Sequence, residues 1–321
     1  MSPEHAHVLL TEPVPPIIEG LAPHFEVHRL WEIGREQAIE KAGRDIRAIA
    51  VGPKAVVDAG LIAALPALEI IAKFGVGYET IDVAAAARHG VVVTNTAGAP
   101  TEEVADFALG LLLAAVRQIP QAARYLSDGE WGPGRFFPLT ATLRGRRVGI
   151  LGLGAIGRAV ARRCEGFGLP VAYHGRTRQA GVPYPYYDSP RSLAAAVDTL
   201  IVTAAGGPGT AGLVDAQVLR ALGPDGVLVN VARGSIVDQP ALLEALREGT
   251  IRTAALDVFA GEPETPRDLL AFDHVVVTPH TGAGSLHTVL EMSRLVVENL
   301  VSWFSGAGPL SPVPETPWRK R

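Results

Sequence analysis

Three side chains in the last third of the 321-residue chain have types and spacing suited to chemistry on a carbonyl compound. "NVARGSIVD" places Arg233 just past an apolar, strand-like run. "DVFAGEP" places Glu262 past the next such run, and "VVVTPHTGAGS" places His280 past the last. Ligands of an open parallel sheet bind outside the carboxyl ends of its strands, so successive strands would bring these residues to one edge. An arginine there can grip an acid group in a two-pronged bond and polarise the neighbouring carbonyl. A histidine, with an ordinary pKa of about 6.5, can protonate an oxygen that is gaining negative charge. A carboxylate on the far ring nitrogen would favour the protonated ring and fix its orientation. Hydride addition to a ketone calls for this set, because it leaves an alkoxide to be protonated. Taken singly, the arginine reads as a surface ion pair, the glutamate as solvated and the histidine as a structural hydrogen-bonder. Only their joint placement carries the assignment.

The sequence also holds a place for a hydride carrier. "GILGLGAIGRAVARRC" sets Gly152, Gly154 and Gly157 directly after a strand and at the head of a helix. The first glycine permits the tight turn, the second lets backbone approach a pyrophosphate, and the third lets helix and strand pack closely. Helix N-terminal amides then meet the phosphate charge. A bare triplet is weak evidence. Here a strand precedes it, a helical face of Ile156, Ala159, Val160, Cys164 and Phe167 follows, and a second strand comes next. An acidic residue ending that second strand normally accepts bonds from the ribose diol and repels a 2′-phosphate. "VAYHGRTRQ" puts His174 there instead, followed by Arg176, Thr177 and Arg178. Guanidinium groups suit phosphate oxygens, and Thr177 adds a hydroxyl and an amide. The expected cofactor is therefore NADP(H), preferred over NAD(H), with Arg176 as the main phosphate clamp.

These residues need an α/β scaffold to position them. In the first hundred residues "HVLL", "EVHRLW", "IRAIAVG", "LEIIAKFG" and "GVVVTN" read as strands, with helical stretches between them. That alternation predicts a parallel sheet covered by helices. A helix follows at "TEEVADFALGLLLAAVRQI", with Thr101 as N-cap and Glu102 and Glu103 favouring the dipole in its first turn. After a Gly-, Pro- and aromatic-rich loop, six further strands are expected: "RVGIL", "PVAYH", "TLIVTA", "GVLVNV", "IRTAALDV" and "HVVVTP". Six strands make a complete dinucleotide-binding sheet. The amphipathic helix "SLHTVLEMSRLVVENLVSWFSG" is ended by Gly306, and "GPLSPVPETPWRKR" reads as an extended tail. Because the chain has to return after the sixth strand, this last helix is expected on the first domain. The expected domains are 1–99 plus 286–321 for the substrate, and 100–285 for the dinucleotide.

Composition narrows the function classes. Apolar residues are 48% and charged residues 19%, an ordinary globular balance. A net charge of -4 without a basic run argues against nucleic acid and anionic membranes as partners. The opening "MSPEHAHVLLTEPVPP" lacks the basic and apolar regions of a signal peptide, and "FALGLLLAAV" is too short to cross a bilayer. The single cysteine, Cys164, excludes an internal disulfide and a cysteine-based metal site. It is expected to be a buried thiol. A cytoplasmic protein with no metal site is the resulting expectation.

"IAKFGVGYETIDV", "GLGAIG", "NVARGSIVDQPALLEALREGTIRTAALDVFAGEP" and "TPHTGAGS" together closely resemble the D-2-hydroxyacid dehydrogenase family, in order and spacing, across nearly the whole chain. The resemblance implies a discontinuous flavodoxin-like substrate domain and a central Rossmann-type domain. It makes Arg233 the substrate-binding arginine, His280 the general acid/base and Glu262 its carboxylate partner. It also implies that Val76 and Gly77 offer backbone amides to the substrate carboxylate. Asp257 would contact the nicotinamide amide, and Thr101 and Ala232 would line the nicotinamide pocket. Leu153, Ala155, Ile156, Thr210, Val231 and Gly282 are assigned to the cofactor as well. A homodimer through the nucleotide domains is implied. The loop with Trp131, Phe136 and Phe137 reads equally as a partner surface or as packed on its own domain. Two departures from the family pattern stand out. "AGGPGT", Ala205 to Thr210, replaces a Pro-containing loop near the adenine and leaves room for an extra phosphate. Lys73 stands before "FGVG" in place of a small polar residue and is expected to point to solvent. With "HGRTR", the pattern resembles the glyoxylate/hydroxypyruvate reductase branch, which implies NADPH-dependent reduction of small 2-keto acids. A phosphoglycerate- or phosphite-oxidising relative, or a nucleotide-sensing corepressor without turnover, stays open as an alternative.

Overall fold

The computed structural model describes residues 6–318. The chain forms two compact units: one runs to Pro100 and resumes at Ser285, and the other is Thr101–Gly284. The first unit is built on a five-stranded sheet of β1 (His7–Leu10), β2 (Glu26–Arg29), β3 (Ile46–Val51), β4 (Ile70–Lys73) and β5 (Val92–Thr94). All neighbours are parallel, in the order β2-β1-β3-β4-β5. That is the flavodoxin-like doubly wound order. Strands covered on both faces must be apolar nearly throughout, which is why "IRAIAV" and "IIAK" lack the alternation of a half-exposed strand. Leu9, Ile49, Ile71 and Val93 form the core on one face with Leu61, Ile62 and Ala86 from covering helices. The edge strand β2 stops at Arg29, and the "LW" expected to extend it opens a helical turn, Leu30–Ile33.

Lys73 departs from its expected exposure. It ends the interior strand β4, is only 3% exposed, and donates from Nζ to the carbonyls of Gly52 (2.5 Å) and Pro53 (2.8 Å). Two backbone acceptors replace the water that a buried ammonium would otherwise need.

The helix Leu286–Phe304 starts at an N-cap, Ser285, whose hydroxyl accepts from Thr288 N. It packs against the helix Pro15–Leu21 and against β4. The following tail is extended but docked. Asn299, 1% exposed, accepts from Leu310 N (2.9 Å) and Ser311 N (3.1 Å) and donates to Leu295 O (2.7 Å) and Ser311 Oγ (3.0 Å). Val313 N then reaches Val93 O at 2.9 Å, so the tail covers the open edge of β5. An uncovered edge would expose unpaired amides and carbonyls to other chains.

The second unit carries a seven-stranded parallel sheet: β6 (Val148–Leu151), β7 (Val171–His174), β8 (Tyr186–Tyr187), β9 (Thr199–Val202), β10 (Val227–Asn230), β11 (Thr253–Leu256) and β12 (Val276–Val277). Its order is β8-β7-β6-β9-β10-β11-β12, the Rossmann order with one strand added beyond β11. The expected count of six is corrected to seven. The missed strand, β8, is two tyrosines in "GVPYPYYDSP", too short for any periodic signal. It is held by pairing to β7 and by His174 Nδ1 donating to Tyr187 O at 2.9 Å. The helix Thr101–Arg117 begins at Thr101 itself, so this residue is the first of the helix and not the N-cap preceding it. Its face of Val104, Ala108, Leu111, Leu112 and Ala115 is buried against the sheet and the helix Ala155–Gly166. Cys164 lies in that core, and burial pushes its thiol up to about 12.

Replacing Asn299 by alanine would leave the part-buried amides of Leu310 and Ser311 without their acceptor. The expected loss is about 1–3 kcal/mol in denaturant-unfolding stability. A change within about 0.5 kcal/mol would show that water substitutes fully for the amide.

Candidate active site

Because β6, β9, β10, β11 and β12 are parallel neighbours, their carboxyl ends share one edge of the second sheet. The turns leaving that edge carry the glycine loop, Arg233, Glu262 and His280.

The glycine loop is fixed by close approach of backbone. Gly152 has φ +102, and a Cβ on it would lie 2.5 Å from Ala204 Cα. A Cβ on Gly157 would lie 2.3 Å from Gly152 O. Thr203 Oγ1 donates to Gly152 O at 2.7 Å, and Gln179 Nε2 donates to Leu153 O at 2.9 Å. Gly154 differs from both: its φ is -81, and nothing lies within 4 Å of where its Cβ would be. Neither turn geometry nor packing demands a glycine there. The open space faces the start of the helix Ala155–Gly166, whose first amides, at Ala155, Ile156 and Gly157, have no partner within the helix. Open space beside unpaired amides fits a pyrophosphate.

His174 ends β7, and Arg176, Thr177 and Arg178 follow as exposed residues. Among the described residues, neither arginine has a carboxylate or other polar partner, so both guanidinium groups are available to a ligand anion. Thr210, also assigned to the cofactor, spends its hydroxyl proton on Ala205 O at 2.8 Å, closing the "AGGPGT" loop.

The candidate reacting groups are braced in sequence. Asn230, the last residue of β10, accepts from Ala232 N (3.0 Å) and donates to Arg233 O (2.9 Å), shaping the turn that presents the arginine. Val231 and Ala232 are buried in that turn. A Cβ on Gly234 would collide with Phe259 C at 2.2 Å, so this turn rests directly on the backbone of the turn after β11. There Phe259 N donates to Glu262 Oε1 at 2.8 Å. The other carboxylate oxygen, Oε2, receives His280 Nδ1–H at 2.7 Å. Burial opposes ionisation of Glu262, but the His280 bond, the Phe259 amide and the nearby Arg233 charge outweigh it and hold the carboxyl below the usual range. Among the described residues, His280 Nε2 has no protein partner.

His280 itself has φ +56, a left-handed conformation that costs a non-glycine residue roughly 1–2 kcal/mol. Buried Asp257 holds the loop that enforces it. Its Oδ1 accepts from Thr278 Oγ1 (2.7 Å) and Thr281 N (2.8 Å), its Oδ2 from Gly282 N (2.8 Å), and its carbonyl from His280 N (2.9 Å). Sequence reasoning named Asp257 for a nicotinamide contact and missed this brace. It also missed Asn230, Gln179 and the Phe259 amide, whose roles depend on which turns lie side by side. Val76 and Gly77 belong to the first unit, in the turn after β4, where Asn95 Nδ2 donates to Val76 O at 2.8 Å.

Comparison with known proteins agrees with this architecture. Residues 109–282 match the family described as D-isomer specific 2-hydroxyacid dehydrogenase, NAD binding domain. A glyoxylate/hydroxypyruvate reductase from Arabidopsis thaliana is 41% identical over 97% of this chain and 99% of its own. A hydroxyphenylpyruvate reductase from Plectranthus scutellarioides is 42% identical over 95% of this chain and 98% of its own. Among solved structures, an NADPH-dependent glyoxylate/hydroxypyruvate reductase from Sinorhizobium meliloti, in complex with NADP and malonate, superposes with a TM-score of 0.93. It is 47% identical and covers 98% of this chain and 99% of that one.

The Gly154 position yields a test. The Cβ of Gly154→Ala meets no atom of the described residues outside its chain neighbours and the backbone stays allowed, so the variant's melting temperature should stay within a few degrees of wild type. Its coenzyme Kd, read by quenching or calorimetry, should rise at least about tenfold because the side chain fills the pyrophosphate's place. Unchanged affinity would remove the phosphate from this loop.

Proposed function

The chain belongs to the D-isomer specific 2-hydroxyacid dehydrogenase family, and from that premise we propose that it reduces small 2-keto acids, glyoxylate and hydroxypyruvate foremost, to 2-hydroxy acids with NADPH. The observation that carries the reading is the 2.7 Å bond between His280 Nδ1 and a carboxylate that is itself anchored, which leaves Nε2 for the substrate oxygen. NADPH, when bound, supplies the hydride. Gly152, Gly154 and Gly157, with the amides of Ala155 and Ile156, hold its pyrophosphate, and Arg176, Thr177 and Arg178 hold its 2′-phosphate. Arg233 grips the keto acid by its carboxylate and draws charge toward the carbonyl oxygen. His280 gives its Nε2 proton to that oxygen, while Glu262 keeps the ring oriented.

The names of the Arabidopsis and Sinorhizobium relatives support this substrate class and coenzyme, and the Plectranthus relative makes an aryl 2-keto acid the competing substrate. No helix among the described residues is long and apolar enough to cross a membrane. We assign the protein to the cytoplasm, where a chain with one thiol and no disulfide is at home. It is assigned as a homodimer, since Trp131 (64% exposed) and Phe136 (79% exposed) of the second unit offer an apolar surface. Sedimentation equilibrium giving a concentration-independent mass of one chain would end the dimer assignment.

Steady-state kinetics with glyoxylate, hydroxypyruvate, pyruvate and phenylpyruvate, each with both coenzymes, test the proposal. The two small substrates should lead, and kcat/KM with NADPH should exceed that with NADH by about 10–100-fold, the worth of a charge-assisted phosphate bond. Arg176→Asp should erase that preference. Binding of NADPH without oxidation by any 2-keto acid would favour a nucleotide sensor instead.

His280→Ala should lower kcat by about 10²–10⁴-fold. Glu262→Gln should keep partial activity but move the alkaline fall of reduction to lower pH, because it removes the negative charge beside the proton-bearing ring. The Glu262 carboxyl titrates below its ordinary value, so its charge persists through neutrality and is lost only as pH falls through that lowered value. An identical pH–rate profile in Glu262→Gln would break the pairing.

A further inference from the structure

We propose that His7, Glu26 and His28 form a binding site for a divalent transition-metal ion on the edge of the first sheet. His7 lies 21 residues before His28 in sequence, and the β1–β2 pairing brings it to the pair Glu26 and His28 on the neighbouring strand. His7 lies opposite Glu26, and Leu9 opposite His28, in a parallel ladder. Since side chains alternate along a strand, His7, Glu26 and His28 all project from one face. His7 Nδ1 lies 2.9 Å from His28 Nε2, while the 3.4 Å contact of Glu26 Oε2 is with the other ring nitrogen of His7, Nε2, so Glu26 has to turn toward the imidazole pair to complete the set. One donor atom from each residue falls within 4.8 Å of the others.

Two imidazole nitrogens bound to zinc at about 2.0–2.1 Å with tetrahedral angles stand about 3.3 Å apart. The observed pair therefore needs to open by only a few tenths of an ångström. Without a cation, these rings must share one proton in an N–H···N bond. A metal ion takes that proton's place and satisfies both lone pairs together. Two imidazoles and one carboxylate favour zinc, nickel or copper over magnesium or calcium, which take oxygen ligands. Three protein ligands leave a coordination position for water. The sequence expectation of no metal rested on the single cysteine and did not weigh histidines that only strand pairing aligns. Bound metal would cross-link β1 to the edge strand β2 and stabilise the folded chain by mass action.

The test uses untagged, chelator-stripped full-length protein titrated with Zn(II) by calorimetry and with Co(II) by visible absorption. One equivalent should bind, with a rise in melting temperature. His7→Ala and His28→Ala should each weaken binding at least about tenfold, and Glu26→Gln, at a side chain 63% exposed, should weaken it without disturbing the fold. His89→Ala, at an exposed histidine of the same unit, should change nothing. Keto-acid reduction should be unaffected by all four. Binding that survives the His7→Ala/His28→Ala double variant overturns the site, as does absence of any Co(II) band or calorimetric heat at millimolar metal. Should the alanine variants lose their native circular dichroism, Glu26→Gln alone decides.

Discussion

Everything at the catalytic edge hangs on how one carboxylate is divided. Glu262 gives one oxygen to the Phe259 amide and the other to His280, so the group that orients the imidazole cannot swing away from it. A half-buried carboxyl would otherwise resist ionisation, and those two bonds with the Arg233 charge keep it anionic. Its anchor, Phe259, lies against Gly234, in the turn that carries Arg233. The arginine and the proposed proton donor are thus referenced to the same piece of backbone. Preorganisation of this kind is what a proton transfer coupled to hydride addition requires.

Asp257 plays the complementary part for the loop of residues 278–282. The left-handed backbone of His280 would relax if the loop were free, and four bonds to one buried residue prevent that. Local strain is retained where the surroundings over-determine it, and such places tend to be functional. Three acceptor positions of the Asp257 carboxylate are engaged in this brace.

The proposed coenzyme end is governed by a different balance. Gly152 and Gly157 are required by the protein itself, through a positive φ and a backbone contact, whereas Gly154 answers to no protein constraint. The ligand is therefore the simplest reason for that glycine. Beyond β7, His174 is tied to Tyr187 O, so its ring supports the short strand β8, while Arg176 and Arg178 are exposed and have no polar partner among the described residues.

By itself the sequence determined the two series of strands save β8, the glycine loop, and the placement of Arg233, Glu262 and His280 in turns at one sheet edge. Buried parallel strands announce themselves as unbroken apolar runs, and residues placed just after such runs must reach the carboxyl edge. It could not reveal strand β8, the burial of Lys73, the docking of the tail by Asn299, or the meeting of His7 with His28. Each of these turns on polar groups, distant in the chain, finding one another's lone pairs and protons once the sheets have formed. Local pattern records how a segment buries apolar surface, but it carries no record of which acceptor a buried Lys or Asn will find. That pairing was decided by tertiary structure alone, because a buried polar group costs too much free energy to stay unsatisfied.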